Sequence, residues 1–256
     1  MTAMPSGPQY PGKPCVAIIG GATAGAEVAA RLAIRGATVV VFEQNARPFG
    51  KIEDGLPRWH VNLRNKEYRT IQEKLERDGV HFVPNTKIGR DIDFGELVNE
   101  WGFNAVILAN GAWRDRPLPI EGIDAYIDQG LIYQNPFIIA FNHEDDPDYD
   151  GRRYDYPDGA LVVGGGLASI DVAKVLMLET TRARLAKRGF NASLVDLETK
   201  GIPKILAGFG LSFIDLELEG CTIFYRRDIS DMPLSEIPEG ATGSKQLPAA
   251  HFCHGF

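Results

Sequence analysis

The chain has 256 residues, of which 44% are apolar and 24% charged, a composition typical of a folded globular protein. A formal net charge of −7 and the lack of a long basic run argue against nucleic acid as the main partner. No apolar run approaches the roughly 18–20 residues that span a bilayer, so we expect no membrane segment.

The positions of the cysteines argue against dithiol and iron–sulfur chemistry in this chain. Cys15, Cys221 and Cys253 are isolated and form no C-x-x-C pair, so we expect neither a redox-active dithiol nor an iron–sulfur cluster or other metal held by this chain. Residues 1–14 contain no apolar core of the signal-peptide kind and are predicted to be a disordered lead-in. The expected location is therefore cytoplasmic.

The first half of the chain predicts alternating strands and helices. It contains several short, continuous apolar runs, which are typical of strands that are buried in a parallel sheet. Strands are predicted at 15–19, 38–42, 80–83 and 105–109, with helices at 24–35, at 66–78 and around "FGELVNEW".

A polar, acidic and turn-rich stretch at 142–159 predicts a domain boundary. After it the chain again shows a pattern of strand, helix and strand. The strand "ALVVG" begins at residue 160, the helix "ASIDVAKVLML" follows, and a last strand lies at 221–225. An insertion with helical signals of its own separates that helix from the last strand.

A glycine-rich turn follows the first predicted strand. Gly20, Ala22 and Gly25 form a G-x-A-x-x-G pattern, in which small residues allow backbone N–H groups to approach a pyrophosphate at the positive end of the helix. Glu43 ends the next strand 23 residues after Gly20, where a carboxylate can accept the hydroxyls of an adenosine ribose. The combination predicts a dinucleotide site, and a Rossmann-like unit without a nucleotide remains the alternative.

A second glycine turn follows the first predicted strand of the second half. The strand that comes after it ends in basic residues rather than in a carboxylate. Gly164, Gly166 and Ser169 form G-x-G-x-x-S, and the next strand ends in Arg226 and Arg227, 62 residues after Gly164. A carboxylate would repel a 2′-phosphate, whereas two guanidinium groups would bind it with charge-assisted, bidentate hydrogen bonds. The pattern therefore favours NADP(H), and a solvated strand edge is the alternative.

These features together predict the fold class. It is an α/β fold with two Rossmann-like, three-layer dinucleotide-binding units in series. The two units share the same arrangement of strands and helices but are expected to bind different nucleotides.

Longer stretches carry a family resemblance. The first unit, followed by "RPFGKIEDGLP", "GVHFVPNTKIGRDI" and "NAVILANGAWRDRPLPIEG", resembles the FAD-containing, glutathione-reductase-like flavoproteins. Within these it is most similar to the ferredoxin–NADP reductases of adrenodoxin reductase type and to the small subunit of NADPH-dependent glutamate synthase. The resemblance implies an FAD-binding domain at 15–125 that lacks its C-terminal part, a linker at 126–159 and an NADP(H)-binding domain at 160–256.

The resemblance also implies roles for individual residues. FAD would have its pyrophosphate on the first glycine turn and its ribose on Glu43, while Arg226 and Arg227 would bind the 2′-phosphate of NADP(H). His60 falls where adrenodoxin-type reductases have a histidine near the isoalloxazine, and it is the one catalytic candidate. The further cofactor-binding candidates are Gly50, Lys51, Ile52, Val83, Ala109, Asn110 and Gly111 for FAD, and Leu167 and Ala168 beside the second glycine turn.

The implied activity is hydride transfer from NADPH to FAD, with electrons passed on to ferredoxin or an iron–sulfur subunit. Members of the resembling groups complete the FAD domain with a late segment that this sequence does not show. The chain is therefore expected to be a fragment, to have its FAD site completed by a second chain, or to be a non-catalytic nucleotide-binding subunit of a larger, glutamate synthase-like redox complex.

Overall fold

The computed structural model describes residues 12–227 and 232. Residues 1–11, which form most of the predicted lead-in, lie outside the described residues. The segment from 228 onwards, which includes Cys253, also lies outside them, with the exception of Met232. The chain divides into two compact units, Met1–Arg116 and Pro117–Phe256.

A four-stranded parallel sheet forms the centre of the first unit. Its strands follow the order β3-β2-β1-β4 and are β1 (Cys15–Ile19), β2 (Thr38–Phe42), β3 (Val80–Val83) and β4 (Ala105–Leu108). The helices of this unit are α1 (Thr23–Ile34), α2 (Lys51–Asp54), α3 (Val61–Leu75) and α4 (Phe94–Asn99).

Both faces of this sheet are covered, which explains why β1 and residues 39–42 of β2 are apolar rather than alternating. On one face α1 and α3 pack against side chains such as Ile18, Val39 and Val41, none of which is exposed to solvent. On the other face, Ala17 and Phe42 cluster with Leu97 of α4.

The helix α3 begins at Val61, five residues before its predicted start. The stretch before residue 66 is rich in polar and basic residues and offers no apolar periodicity. Tertiary contacts hold it instead, since Arg64 donates to the Glu53 carbonyl at 3.0 Å and the Tyr68 ring stacks on Phe49 at 3.9 Å.

The second unit contains a two-stranded parallel sheet of β5 (Ala160–Val163) and β6 (Cys221–Phe224). Its helices are α5 (Gln134–His143), α6 (Leu167–Lys187), α7 (Leu194–Lys200) and α8 (Ile202–Gly208), with short 3-10 turns at Ile123–Tyr126 and Ile214–Leu216. The helix α6 runs nine residues beyond its predicted end, so part of the predicted insertion belongs to it. The predicted linker 126–159 contains α5, six of whose ten residues are buried.

One face of this small sheet packs against α6. On the other face Leu161, Val163 and Phe224 are each more than half exposed. A parallel sheet confirms the α/β class, and a complete three-layer arrangement stays a prediction for the second unit. Across the described residues, no helix is long and apolar enough to cross a membrane.

Candidate functional site

The carboxyl ends of the first sheet bring the first glycine turn against the end of β4. Gly20 follows β1 with a φ of +101°, and its N–H donates to the Phe42 carbonyl at 2.8 Å. A Cβ atom built on Gly20 would lie 2.5 Å from the Ala109 carbonyl oxygen and 3.0 Å from Asn110 Cα. The predicted turn Ala109–Asn110, with Gly111 after it, therefore touches the glycine turn directly.

Gly25 is fixed by packing rather than by its dihedral angles. It is buried inside α1, and a Cβ atom there would lie 1.8 Å from the Gly20 carbonyl oxygen, which no real pair of atoms allows. The helix therefore approaches the turn so closely that only glycine fits.

The start of α1 keeps its positive end available. Ala22 is the N-cap residue, it makes no side-chain cap hydrogen bond, and the first turn of this 12-residue helix carries no acidic side chain. Gly50 lies beside it, because a Cβ atom on Gly50 would be 3.0 Å from Ala22 Cβ. Backbone N–H groups at such a helix end attract a phosphate.

Glu43 is buried at the same edge, with 5% of its surface exposed. Its Oε2 accepts the Gly21 N–H at 2.9 Å, and its Oε1 accepts the Asn45 N–H at 3.0 Å. The Glu43 N–H in turn donates to the carbonyl of Val83 at 2.9 Å, which places that predicted residue beside the backbone of Glu43. An ionised carboxylate has about four acceptor positions, so two protein bonds leave room for ribose hydroxyls.

A Glu43→Gln variant tests the carboxylate. Its amide NH₂ must face either Gly21 N–H or Asn45 N–H, so one buried donor meets another donor. We expect the free energy of unfolding to fall by about 1–3 kcal/mol, measured by urea denaturation. The exposed Glu73→Gln is the control, and equal stability of the two variants would contradict this account of Glu43.

The segment predicted to line the flavin lies in the same unit. Lys51 Nζ is 6.0 Å from the centre of the Trp113 ring, and Ile52 packs against the buried core cluster, which gives it a structural role as well. His60 is the N-cap residue of α3, and its ring centre lies 5.9 Å from that of Trp59. The catalytic role of His60 stays a prediction.

The second glycine turn joins the carboxyl ends of β5 and β6. The N–H of Gly164 donates to the Phe224 carbonyl at 2.9 Å, its φ is +137°, and a Cβ atom there would lie 2.6 Å from Ser169 Oγ. Gly166 is the N-cap residue of α6, again without a side-chain cap hydrogen bond. Leu167 and Ala168 are exposed in the first turn of that helix.

The two arginines follow β6 at this edge, and both are exposed. Tyr225, which precedes them, was not among the residues predicted for the site. A Cβ atom on Gly165 would lie 2.2 Å from Cδ2 of the Tyr225 ring, and the Arg227 Cζ lies 5.5 Å from the centre of that ring. An aromatic residue at the strand end, directly before two arginines, is the sequence signal that could have identified it.

Both edges therefore fit a dinucleotide. Each has an uncapped helix N-terminus after a parallel strand, and the charge at the end of the partner strand differs between them: Glu43 in one unit, Arg226 and Arg227 in the other. A sequence profile of the family described as "Pyridine nucleotide-disulphide oxidoreductase" matches residues 14–203. The chain belongs to this family.

Two relatives are similar to about two thirds of this chain. The small chain of glutamate synthase [NADPH] from Bacillus subtilis is 32% identical over 171 residues, which are 66% of this chain and 33% of that protein. The mitochondrial NADPH:adrenodoxin oxidoreductase of Arabidopsis thaliana is 30% identical over 173 residues, 65% of this chain and 34% of that protein. The chain thus spans about a third of the length of these relatives.

A solved structure agrees with them. FprA, an oxidoreductase of Mycobacterium tuberculosis, superimposes with a TM-score of 0.53 at 26% sequence identity, covering 64% of this chain and 36% of FprA. FprA has also been solved in complex with NADPH. Family membership supports the two cofactors expected from the sequence, since FAD is the usual flavin of this family and NADPH is the nucleotide of these relatives.

Proposed function

We propose that the chain is the nucleotide-binding part of an NADPH-dependent flavoprotein of the glutathione-reductase-like superfamily, of the adrenodoxin reductase or glutamate synthase small-subunit type. One observation carries the proposal: two glycine turns at the ends of parallel strands are followed by a buried carboxylate in one unit and by two arginines in the other. In this proposal FAD belongs to the first unit and NADP(H) to the second, and the reduced protein serves ferredoxin or an iron–sulfur subunit.

The first unit contributes binding and orientation. The N–H groups at the start of α1 and beside Gly20 would hold the FAD pyrophosphate, and Glu43, fixed by the Gly21 and Asn45 N–H groups, would accept the ribose hydroxyls. Gly50 lets its segment approach Ala22 closely, and in this proposal it would lie close to the cofactor. His60, Lys51 and Ile52 remain the candidates on the flavin side.

The second unit would select the nucleotide. Backbone N–H groups at Gly166 and the first turn of α6 would bind the pyrophosphate of NADP(H), and Arg226 and Arg227 its 2′-phosphate. Bound FAD supplies the redox chemistry, since it accepts a hydride and gives up electrons singly. In the same proposal the chain works in the cytoplasm, where thiols such as those of Cys15 and Cys221 stay reduced.

The visible absorbance of the flavin tests the proposed function. The purified chain, mixed with FAD and desalted, is expected to retain flavin nearly stoichiometrically, and anaerobic addition of NADPH is expected to bleach it. NADH at the same concentration should bleach it more slowly. A chain that keeps no flavin after FAD addition would contradict the proposal.

A second candidate is a nucleotide-binding subunit of a larger redox complex that carries out no electron transfer by itself. The exposed apolar face formed by Leu161, Val163 and Phe224 favours it, because parallel sheets are normally covered on both faces. Retention of flavin without bleaching by NADPH would favour this candidate, and bleaching would exclude it.

A further inference from the structure

The three consecutive glycines of the second turn face three different surroundings. A Cβ atom on Gly164 would meet Ser169, one on Gly165 would meet the Tyr225 ring, and one on Gly166 would meet no atom of the described residues within 4 Å. Gly165 is buried, whereas Gly166 is exposed. The open side of the turn is therefore at Gly166, at the start of α6, and the Gly165 side is closed by an aromatic ring.

The closing ring belongs to the strand end that carries the arginines. Tyr225 follows β6, and its Cδ2, Cε2 and Cγ atoms would lie 2.2, 2.4 and 2.5 Å from a Cβ atom on Gly165. The ring therefore packs on the bare backbone of the turn. Any residue other than glycine at 165 would have to displace it.

The same ring also supports Arg227. The guanidinium carbon of Arg227 lies 5.5 Å from the ring centre, within the range of a cation–π interaction. Arg227 is an exposed, long side chain, so without a platform it would lose rotamer entropy on binding an anion. A guanidinium that already rests on a fixed ring loses less.

We infer that Tyr225 is a positioning residue of the second nucleotide site, which packs on Gly165 and holds the Arg227 guanidinium in place for a 2′-phosphate. The inference rests on the proposed function, since it assumes that NADP(H) binds here. It assigns the choice between NADPH and NADH to a triad of Gly165, Tyr225 and Arg227 rather than to the arginines alone.

Binding of NADPH and of NADH to the full chain, measured by titration calorimetry, tests the inference. Tyr225→Leu keeps an apolar side chain but removes the ring, and it is expected to raise the Kd for NADPH about two- to fivefold. Its Kd for NADH should change less than about twofold, because NADH has no 2′-phosphate for Arg227 to bind. Tyr225→Phe keeps the ring and should bind NADPH like the wild type, and the exposed Tyr126→Leu is the matched control.

A double-mutant cycle shows whether Tyr225 acts through Arg227. In an Arg227→Gln background, Tyr225→Leu is expected to have little further effect on NADPH binding, because the group that it positions is gone. Equal weakening of NADPH and NADH by Tyr225→Leu, additive effects in the cycle, or unchanged NADPH binding would each overturn the inference. A wild-type chain that does not bind NADPH would instead contradict the proposed function, and the inference with it.

Discussion

Gly25→Ala is expected to lower the stability of the first unit strongly, although it adds only one methyl group. The new Cβ atom would lie 1.8 Å from the Gly20 carbonyl oxygen, so either α1 or the turn must move. We expect a loss of about 2–3 kcal/mol in the free energy of unfolding, together with loss of FAD retention, because the turn and the start of α1 form the same site.

Gly208→Ala is the matched control for this variant. Gly208 is also helical, in α8, but a Cβ atom there would meet no described atom within 4 Å. That substitution should leave stability unchanged or raise it by up to about 1 kcal/mol. Thermal denaturation and flavin absorbance of both variants test this prediction. A Gly25→Ala variant with the melting temperature of the wild type would show that α1 does not lie against the turn.

The double variant Arg226→Gln/Arg227→Gln is expected to weaken the binding of NADPH much more than the binding of NADH. Each charge-assisted hydrogen bond to a 2′-phosphate contributes about 1.5–3 kcal/mol, so loss of at least one bond from each arginine should raise the Kd for NADPH by about 100-fold or more. The Kd for NADH should stay within about twofold. Raising the salt concentration should weaken NADPH binding to the wild type more than to the variant, because exposed charges are screened.

Lys187→Gln/Arg188→Gln removes the same amount of charge at another place. Both residues are exposed at the end of α6, a helix of 21 residues that begins at Gly166 and is therefore about 31 Å long. This control should bind both nucleotides like the wild type. If the two double variants lose NADPH affinity alike, overall charge and not a 2′-phosphate contact explains the effect.

Much of the first unit was predictable because short-range patterns express it. All four strands β1 to β4 occur within one residue of their predicted ends. They are short runs of mainly apolar residues, interrupted only by Thr38 in β2 and His81 in β3, because a sheet that is covered on both faces favours apolar residues on both. Gly20, Gly25 and Glu43 were predicted from their spacing together with the strand–helix–strand pattern around them, and in the structure they lie at one edge of the sheet.

The helix boundaries were predicted less well, for two different reasons. The start of α3 lacks an apolar pattern and depends on contacts of Arg64 with the Glu53 carbonyl of α2 and of Tyr68 with Phe49, which the local helical pattern does not express. The end of α6 was predicted too early because buried polar residues, Glu179, Thr180 and Thr181, break the apolar periodicity although they lie inside the helix.

The sequence by itself determined the α/β class with parallel strands, the oxidoreductase family, and the acidic residue that follows β2 and the arginines that follow β6, because these depend on residue type and spacing along one segment. Only the tertiary structure decided which neighbour each glycine touches. Gly20 meets Ala109, Gly25 meets the Gly20 carbonyl, and Gly165 meets Tyr225, which lies 60 residues away. Such contacts join separate strand ends, and their distances depend on how helices and strands pack rather than on any local propensity.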